Sequence, residues 1–208
     1  MTDGQSAAAE FEVISTKGNE AKNQEYWNFI LSEHPDAVPN DDSIVFLRTS
    51  SKIDNAPLNR NIDIFDDQML FIPVLISETD RYDAKYFNIG EDFESVSQRL
   101  DYAKQEYQLC KLKPRQVMID GRPISDDLSK FYAEVKDCEI SVHPNSKVAI
   151  ELGYEPIPKE SLKASIVAES IIIKLHSRPE PYHVQFYAEG VLGYWTMANY
   201  KIRVHERS

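Results

Sequence analysis

The chain has 208 residues, of which 42% are apolar and 11% are aromatic, enough to fill the core of one sizeable domain. Its formal net charge is −11, and all of the excess negative charge lies in residues 1–100. An acidic surface repels phosphate backbones and anionic lipid, so the composition argues against a nucleic-acid-binding or membrane-binding protein. The acids either keep the protein soluble or bind cations or a basic partner, and both interpretations stay open.

Targeting signals and cysteine frameworks are also missing from the pattern. No apolar run reaches the roughly 18 residues that a membrane-spanning helix needs, and the start, MTDGQSAAAEFEV, lacks a basic segment followed by a hydrophobic one. We therefore expect a soluble, cytoplasmic protein. The two cysteines, Cys110 and Cys138, lack C-x-x-C spacing, which argues against a disulfide framework or a structural zinc site.

Two helices are predicted at the margin of one domain. Residues 1–18 are small and polar and are predicted to be a flexible arm, with the domain covering 19–208. Residues 19–32 form an amphipathic helix with Tyr26 and Trp27 on its apolar side. A second helix covers 91–113, where apolar residues recur at three- and four-residue steps. Cys110 falls on that apolar stripe, where a thiol acts as a small hydrophobe.

Most of the remaining chain has the pattern of short strands separated by turns. Their predicted spans are 43–49, 58–64, 69–76, 115–121, 136–143, 147–153, 163–176, 181–190 and 198–206. The strands 58–64 and 69–76 are predicted to form a hairpin, and 163–176 is apolar enough to be central. This pattern predicts a mainly β, α+β fold: an antiparallel β-sandwich, jelly-roll-like, with the two helices at its margin.

Pro73 interrupts the apolar run 69–76 in an informative way. Proline has no N–H for a β-ladder, so it belongs on an edge strand or at a bulge, and we expect this strand to be bent or unpaired on one side there. A bulge re-aims the residues beyond it, which would place Glu78 and Asp80 at one end of a sheet. Glu78 would there bind a metal, pair with an arginine such as Arg60, or be solvated.

Two histidines suggest a further candidate site. His176 and His183 flank the segment SRPEPY, and if residues 175 and 184 pair across a hairpin, the two imidazoles stand about 5 Å apart at Cβ. Two histidines on adjacent strands can start a metal site, as in cupin-like barrels, but a third ligand is needed, and only Glu180 is near. A solvated or core-satisfied pair is the alternative.

An aromatic cluster, GVLGYWTMANY, separates the last two strands. If Tyr194 and Trp195 are exposed, they would stack on sugar rings or bind a partner, and if buried they would close one end of the core. The sequence contains no G-x-S-x-G, H-E-x-x-H, P-loop or G-x-G-x-x-G motif, which argues against nucleotide chemistry.

Several of these segments together resemble a family of uncharacterised, mostly exported prokaryotic proteins. The similarity covers roughly residues 25–205 in short pieces, and the matching positions are Trp27, Ile44 to Leu47, Arg60, Ile64, Leu70, Phe71, Pro73, Glu78, Ile119 to Ile124, His183 to Phe186 and Tyr200 to Val204. The family pattern has cysteines at the positions of Ile62 and Thr79. Their joint absence here is what we expect if they form a disulfide in exported relatives that a reducing compartment makes useless. The resemblance implies a fold and no established activity.

Two hypotheses of function follow. The first is a non-catalytic β-sandwich that binds a partner protein or a small ligand at one end, near Arg60, Glu78, Asp80, Tyr194 and Trp195, without a cofactor. The second is a metal-dependent jelly-roll enzyme of cupin-like type, with His176, His183 and an acid as ligands. The incomplete ligand set favours the first.

Overall fold

The computed structural model describes residues 10–14, 19–33, 43–49, 56–81, 93–152, 154, 157–158, 161–190 and 195–207. In this part of the chain the strands are β1 (Phe11–Ile14), β2 (Ile44–Phe46), β3 (Leu58–Phe65), β4 (Met69–Thr79), β5 (Arg115–Ile119), β6 (Arg122–Pro123), β7 (Tyr132–Ile140), β8 (Leu162–Leu175), β9 (Tyr182–Glu189) and β10 (Trp195–His205). The α-helices are α1 (Asn19–Ile30), α2 (Val96–Cys110) and α3 (Lys147–Glu151), and a 3-10 turn covers Ser129–Phe131.

The strands form two five-stranded sheets that pack face to face. In sheet A, β8 is central: β4 pairs along one of its edges and β2 follows β4, while β1 and β7 pair along the other edge. Sheet B has the order β3-β10-β9-β5-β6. The predicted mainly β, sandwich-like α+β fold with two longer helices is confirmed. Its sheets are mixed, however, because β2 runs parallel to β4 and β3 runs parallel to β10.

Two predicted hairpins are wrong, because the chain changes sheets at both turns. β3 lies in sheet B and β4 in sheet A, although a tight turn joins them, in which the Phe65 N–H donates to Gln68 Oε1 at 2.9 Å. β8 and β9 are likewise in different sheets, so residues 175 and 184 do not pair. Alternating apolar residues show that one face of a strand is buried. They do not show whether the next strand lies beside it or opposite it.

Two further expectations need correction. Residues 11–14 of the predicted flexible arm form β1, because Phe11 pairs with Leu175 and the strand extends sheet A. The predicted strand 147–153 is instead the short helix α3. Ser146 caps this helix by accepting the Ala149 N–H at 3.2 Å, and such a cap satisfies one of the free amides of a helix start.

One face of the fourteen-residue strand β8 is covered by two different partners. Ile171, Ile173 and Leu175 face sheet B and belong to the core between the sheets. Toward the other end of β8, Val167 packs against Ala103 of helix α2. Helix α1 and helix α3 contribute to a second core on the opposite face of sheet A. Both faces of sheet A are therefore covered.

Pro73 lies at a β-bulge, which is one of the two positions that its missing N–H predicts. The register of β4 against β8 shifts between Pro73 and Leu75, and β2 pairs with β4 only as far as Phe71. Val74 consequently packs into the core between the sheets, whereas Leu75 packs under α2. Because of the extra residue at the bulge, the same face of β4 packs in the core between the sheets before the bulge and against helix α2 after it.

A buried ion pair lies on β8 at the boundary between the part that packs on sheet B and the part that packs on helix α2. The Glu169 side chain is fully buried in β8 and accepts hydrogen bonds from Arg115 Nε at 2.5 Å and Arg115 Nη2 at 2.9 Å. The Tyr107 hydroxyl donates to the same carboxylate at 2.7 Å. Arg115 also donates to the carbonyl oxygen of Lys111. Glu169 thus joins the central strand of sheet A, helix α2 and the first residue of β5 in sheet B. Burial and the bond to Glu169 raise the pKa of Tyr107 far above its ordinary value, so this hydroxyl stays a donor.

Breaking this ion pair should destabilise the fold strongly. We expect Arg115→Met alone to lower the free energy of unfolding by about 3 to 5 kcal/mol, because it leaves a buried carboxylate without its partner. The double variant Arg115→Met with Glu169→Leu should recover most of the loss, since no buried charge remains. Urea unfolding followed by circular dichroism measures both.

The matched control is an exposed ion pair between β8 and β7, Lys163 with Glu139, whose charged atoms are 2.8 Å apart and whose side chains are 59% and 57% exposed. Lys163→Met should change stability by less than about 1 kcal/mol. Equal effects of Lys163→Met and Arg115→Met would show that the buried pair has no special role.

Helix α2 also places a carboxyl group against sheet A. Ser95 and Gln98 form a capping box at its start, which is later than the predicted residue 91. In its third turn, Glu106 accepts a hydrogen bond from Ser77 Oγ of β4 at 2.5 Å. Burial raises the pKa of Glu106, and the bond from Ser77 offsets part of this effect.

The raised pKa of Glu106 predicts a pH dependence of stability. Because the folded-state pKa lies above the unfolded value, the favourable contribution is complete below the unfolded pKa and is lost as the pH rises through the folded pKa. Glu106→Gln should therefore unfold at a higher temperature than the wild type at pH 7.5, and the difference should shrink toward pH 4. An exposed control, Glu206→Gln, should show no such trend in thermal unfolding between these pH values.

Candidate functional site

The outer face of sheet B is left open by the described part of the chain. Along β9, Val184 and Phe186 are buried against sheet A, whereas Gln185 and Tyr187 alternate with them and point away from it. β10 repeats this pattern, with Ile202 buried. The helices pack on sheet A strands and make no comparable contact with sheet B. Within the described residues, no helix therefore covers the outward side chains of sheet B.

Three carboxamides form a hydrogen-bonded row across this face. Asn199 of β10 pairs in register with Asn59 of β3 on one side and with Gln185 of β9 on the other. Gln185 Nε2 donates to Asn199 Oδ1 at 2.9 Å, and Asn199 Nδ2 donates to Asn59 Oδ1 at 3.1 Å. Asn59 Nδ2 in turn donates to the carbonyl oxygen of Pro57 at 3.0 Å. Linked donors polarise one another and hold the side chains in fixed orientations.

The row belongs to an uncharged patch in a highly charged chain. The outward residues of neighbouring strands extend it, and we name the whole set the amide face: Asn59, Gln116, Met118, Gln185, Tyr187, Met197 and Asn199. None of its seven residues is charged, although 27% of the chain is. Charged outward residues border the face directly: Lys201 is the next outward residue after Asn199 on β10, and Glu189 is the next after Tyr187 on β9. Further along β3 and β10, His205 Nε2 lies 2.8 Å from Asp63 Oδ1.

Arg60 is placed on the edge of sheet B rather than at the end of the sandwich. It lies in β3 opposite Tyr200 of β10 and is exposed. Its neighbours two residues away, Leu58 and Ile62, pack against the core, so Arg60 occupies an inward position of an edge strand. An inward charge on an edge strand discourages pairing with another chain, which is a structural explanation for this arginine.

The predicted acidic pair, Glu78 and Asp80, lies at the end of β4 in sheet A. Asp80 is fully buried and accepts a hydrogen bond from the Tyr154 hydroxyl at 2.8 Å. Glu78 lies near Cys138, since its charge contributes to raising the pKa of that thiol. The bulge at Pro73 does re-aim the residues beyond it. It turns Ser77 toward helix α2 and leaves Asp80 in the interior, so the expected cluster of Arg60, Glu78 and Asp80 is split between two sheets.

The aromatic cluster is described only in part. Tyr194 and the side chain of Trp195 lie outside the described residues, and the backbone of Trp195 pairs with Glu189 at the start of β10. Tyr200 is buried, and its hydroxyl donates to the Arg48 carbonyl at 2.9 Å and accepts from the Arg48 N–H at 2.9 Å. Tyr200, the last residue of the cluster, therefore belongs to the core.

The two histidines are not held together by a hairpin. His176 follows β8 and His183 lies in β9, and both side chains are exposed. Arg178 stabilises the connection between them. Its Nη2 lies 2.6 Å from Asp120 Oδ2, and its Cζ lies 3.5 Å from the centre of the Tyr182 ring. Within the described residues, no group of three or more His, Cys, Asp or Glu side chains is arranged to hold a metal.

Both cysteines are buried, and neither forms a disulfide. Cys110 lies on the inner face of α2, as its position in the apolar stripe predicts. Burial, assisted by the charge of Glu78, raises the pKa of the Cys138 thiol to about 12. A thiol with such a pKa is almost entirely protonated near neutral pH and is a poor nucleophile.

The native protein should therefore resist thiol reagents. We expect a disulfide reagent such as DTNB to label both cysteines at least a hundredfold more slowly in native buffer than in guanidinium chloride, which exposes them. Ser97→Cys, on the exposed side of α2, is the positive control and should label rapidly. Fast labelling of Cys138 in the folded protein would contradict its assignment as an inert core residue.

Sequence patterns alone did not reveal the amide face. Asn59 and Asn61 occupy alternate positions of a predicted strand, which is an unusual pattern because asparagine is depleted in strands. That signal was available. The alignment of Asn59 with Asn199 and Gln185 was not, because it depends on a parallel pairing between strands about 140 residues apart.

Comparisons with known proteins add no identification. No helix in the described ranges is long and apolar enough to span a membrane. No family model, curated protein or solved structure matches this chain.

Proposed function

We propose that this protein is a non-catalytic binding protein that uses the outer face of sheet B, centred on the amide face, to bind a ligand or a partner. The observation that carries the proposal is the row of fixed carboxamides from Asn59 to Gln185, which offers oriented donors and acceptors on a sheet face that no described helix covers. Binding sites typically combine such a small set of placed polar groups with apolar surface, here Met118 and Tyr187. The proposal keeps the expected sandwich-based binding function and moves its site.

The internal contacts of the acidic groups support a non-catalytic role. Glu169 is engaged by Arg115 and Tyr107, and Asp80 by Tyr154, so these buried carboxylates have structural partners. Cys138 is a protonated core residue, and Cys110 lies on the buried stripe of α2. We also propose a cytoplasmic, reducing location, in which buried thiols such as those of Cys110 and Cys138 stay reduced.

The alternative is a metal-dependent jelly-roll enzyme of cupin-like type. It rested on His176 and His183 facing each other across a hairpin, and these residues belong to segments of different sheets. The binding hypothesis therefore has better support. The jelly-roll connectivity and the family resemblance both stay predictions.

An isosteric charge on the amide face tests the proposal. Gln185→Glu preserves the shape of the side chain but introduces a carboxylate that cannot donate to Asn199. Immobilised wild-type protein should retain a ligand or partner from an extract of the source cells, and the variant should retain roughly tenfold less, as expected when a charged or polar group loses its partner. Mass spectrometry of the eluate measures retention.

The matched control is Gln108→Glu, the same substitution on the exposed side of α2. It should retain as much as the wild type, and thermal unfolding should show that both variants are folded. Equal retention by Gln185→Glu and the wild type, or no specific retention by any form, would argue against a binding surface on sheet B.

A further inference from the structure

The chemistry of the amide face restricts the class of ligand. A carboxamide is both donor and acceptor, so a row of carboxamides matches a ligand whose groups are also both donors and acceptors. Hydroxyl groups have this property, whereas phosphates and carboxylates only accept and ammonium groups only donate. Asn59, Asn199 and Gln185 are linked in one direction by their own hydrogen bonds, and each NH₂ group carries a second hydrogen that such a ligand can use.

The charge distribution points to a neutral ligand. The amide face has no charged residue, and the chain as a whole has a net charge of −11. The outward neighbours of the face carry both signs of charge, with Lys201 beyond Asn199 and Glu189 beyond Tyr187. An anionic polymer such as a nucleic acid would meet the field of an acidic protein, and the seven residues of the face offer no positive charge to offset it. A cationic ligand would find no carboxylate within the face.

The asparagines of this face have a low strand propensity, which a face with a purely structural role would avoid. Asparagine is among the residues depleted in strands, yet Asn59, Asn61 and Asn199 all lie within β3 and β10. A solvated sheet face is more commonly built from threonine, lysine or other residues that fit a pleated surface. The presence of carboxamides at these positions is explained if binding requires their hydrogen-bonding groups.

Tyr187 completes the match. It is half-buried on β9, directly opposite Met197 and Gln116 and therefore diagonal to Asn199. A tyrosine ring in such a position offers an apolar surface beside the polar row. A peptide strand would instead be expected to add to a sheet edge through its main chain, not to lie across side chains on a face.

We propose that the amide face binds an uncharged carbohydrate chain, with Tyr187 stacking on a sugar ring and with Asn59, Asn199 and Gln185 exchanging hydrogen bonds with its hydroxyl groups. The chain would lie across β3, β10 and β9, whose spacing of about 4.8 Å sets the distance between successive carboxamides. This inference rests on the proposed function, because it names the ligand class of the same face.

Affinity electrophoresis tests the inference directly. The protein is run in native gels that contain one neutral soluble polysaccharide each, namely glycogen, galactomannan, arabinoxylan or mixed-linkage β-glucan, and in gels that contain alginate or no polymer. We expect at least one neutral polysaccharide to retard the wild type, and alginate not to. Tyr187→Ala and Gln185→Glu should each weaken the apparent affinity roughly tenfold, because each removes one part of the recognition.

Two further variants keep the test decisive if Tyr187→Ala does not fold. Gln116→Ala alters an exposed member of the amide face and should also reduce retardation, whereas Gln108→Glu on α2 should leave it unchanged. Unretarded wild-type protein in every neutral gel, or retardation that survives all three face substitutions, would overturn the carbohydrate assignment. If capture from the extract nevertheless depends on Gln185, the binding function stands with a different ligand. If both experiments fail, the proposed function fails with the inference.

Discussion

The ion pair between Arg115 and Glu169 fixes how the layers of this protein meet. It ties the centre of β8 to the first residue of β5, and Tyr107 adds the end of α2 to the same carboxylate. Because β9, β10 and β3 follow β5 in the order of sheet B, the position of the open face depends on this anchor. A buried ion pair is costly to desolvate and contributes little net stability over an apolar replacement. Its value here is positional, because a displacement of the helix or of either sheet would leave a buried charge without its partner.

The bulge at Pro73 solves a related problem in sheet A. One face of β4 packs first in the core between the sheets and then against helix α2. The extra residue at the bulge moves the side chains from the first contact, made by Val74, to the second, made by Leu75. The missing proline N–H costs nothing on the side toward β2, because β2 pairs with β4 only up to Phe71. The same shift places Ser77 against Glu106 and takes Asp80 into the interior, so the acidic end of this strand becomes part of the packing.

The functional proposal follows from the unequal covering of the two sheets. Sheet A has sheet B and α2 on one face and the core with α1 and α3 on the other. Sheet B is packed only on its inner face within the described chain, and its outer face holds carboxamides in a hydrogen-bonded row. The buried carboxylates of Glu169 and Asp80 have internal partners, whereas the carboxamides of the row bond to one another on the outer face of sheet B.

The sequence by itself located most of the apolar strands and the two longer helices, and it marked Pro73 as a bulge or an unpaired edge, because residue periodicity and the missing proline N–H are local properties. It identified β8 as central from its length and apolar content. It did not determine which sheet receives β3, β4 or β9, since period-two alternation is the same whether the next strand lies beside or opposite. It also predicted a strand at residues 147–151, where the N-cap from Ser146 instead favours a helix. The amide face could be decided only by tertiary structure, because Asn59, Gln185 and Asn199 become neighbours through pairings between strands that are distant in the chain.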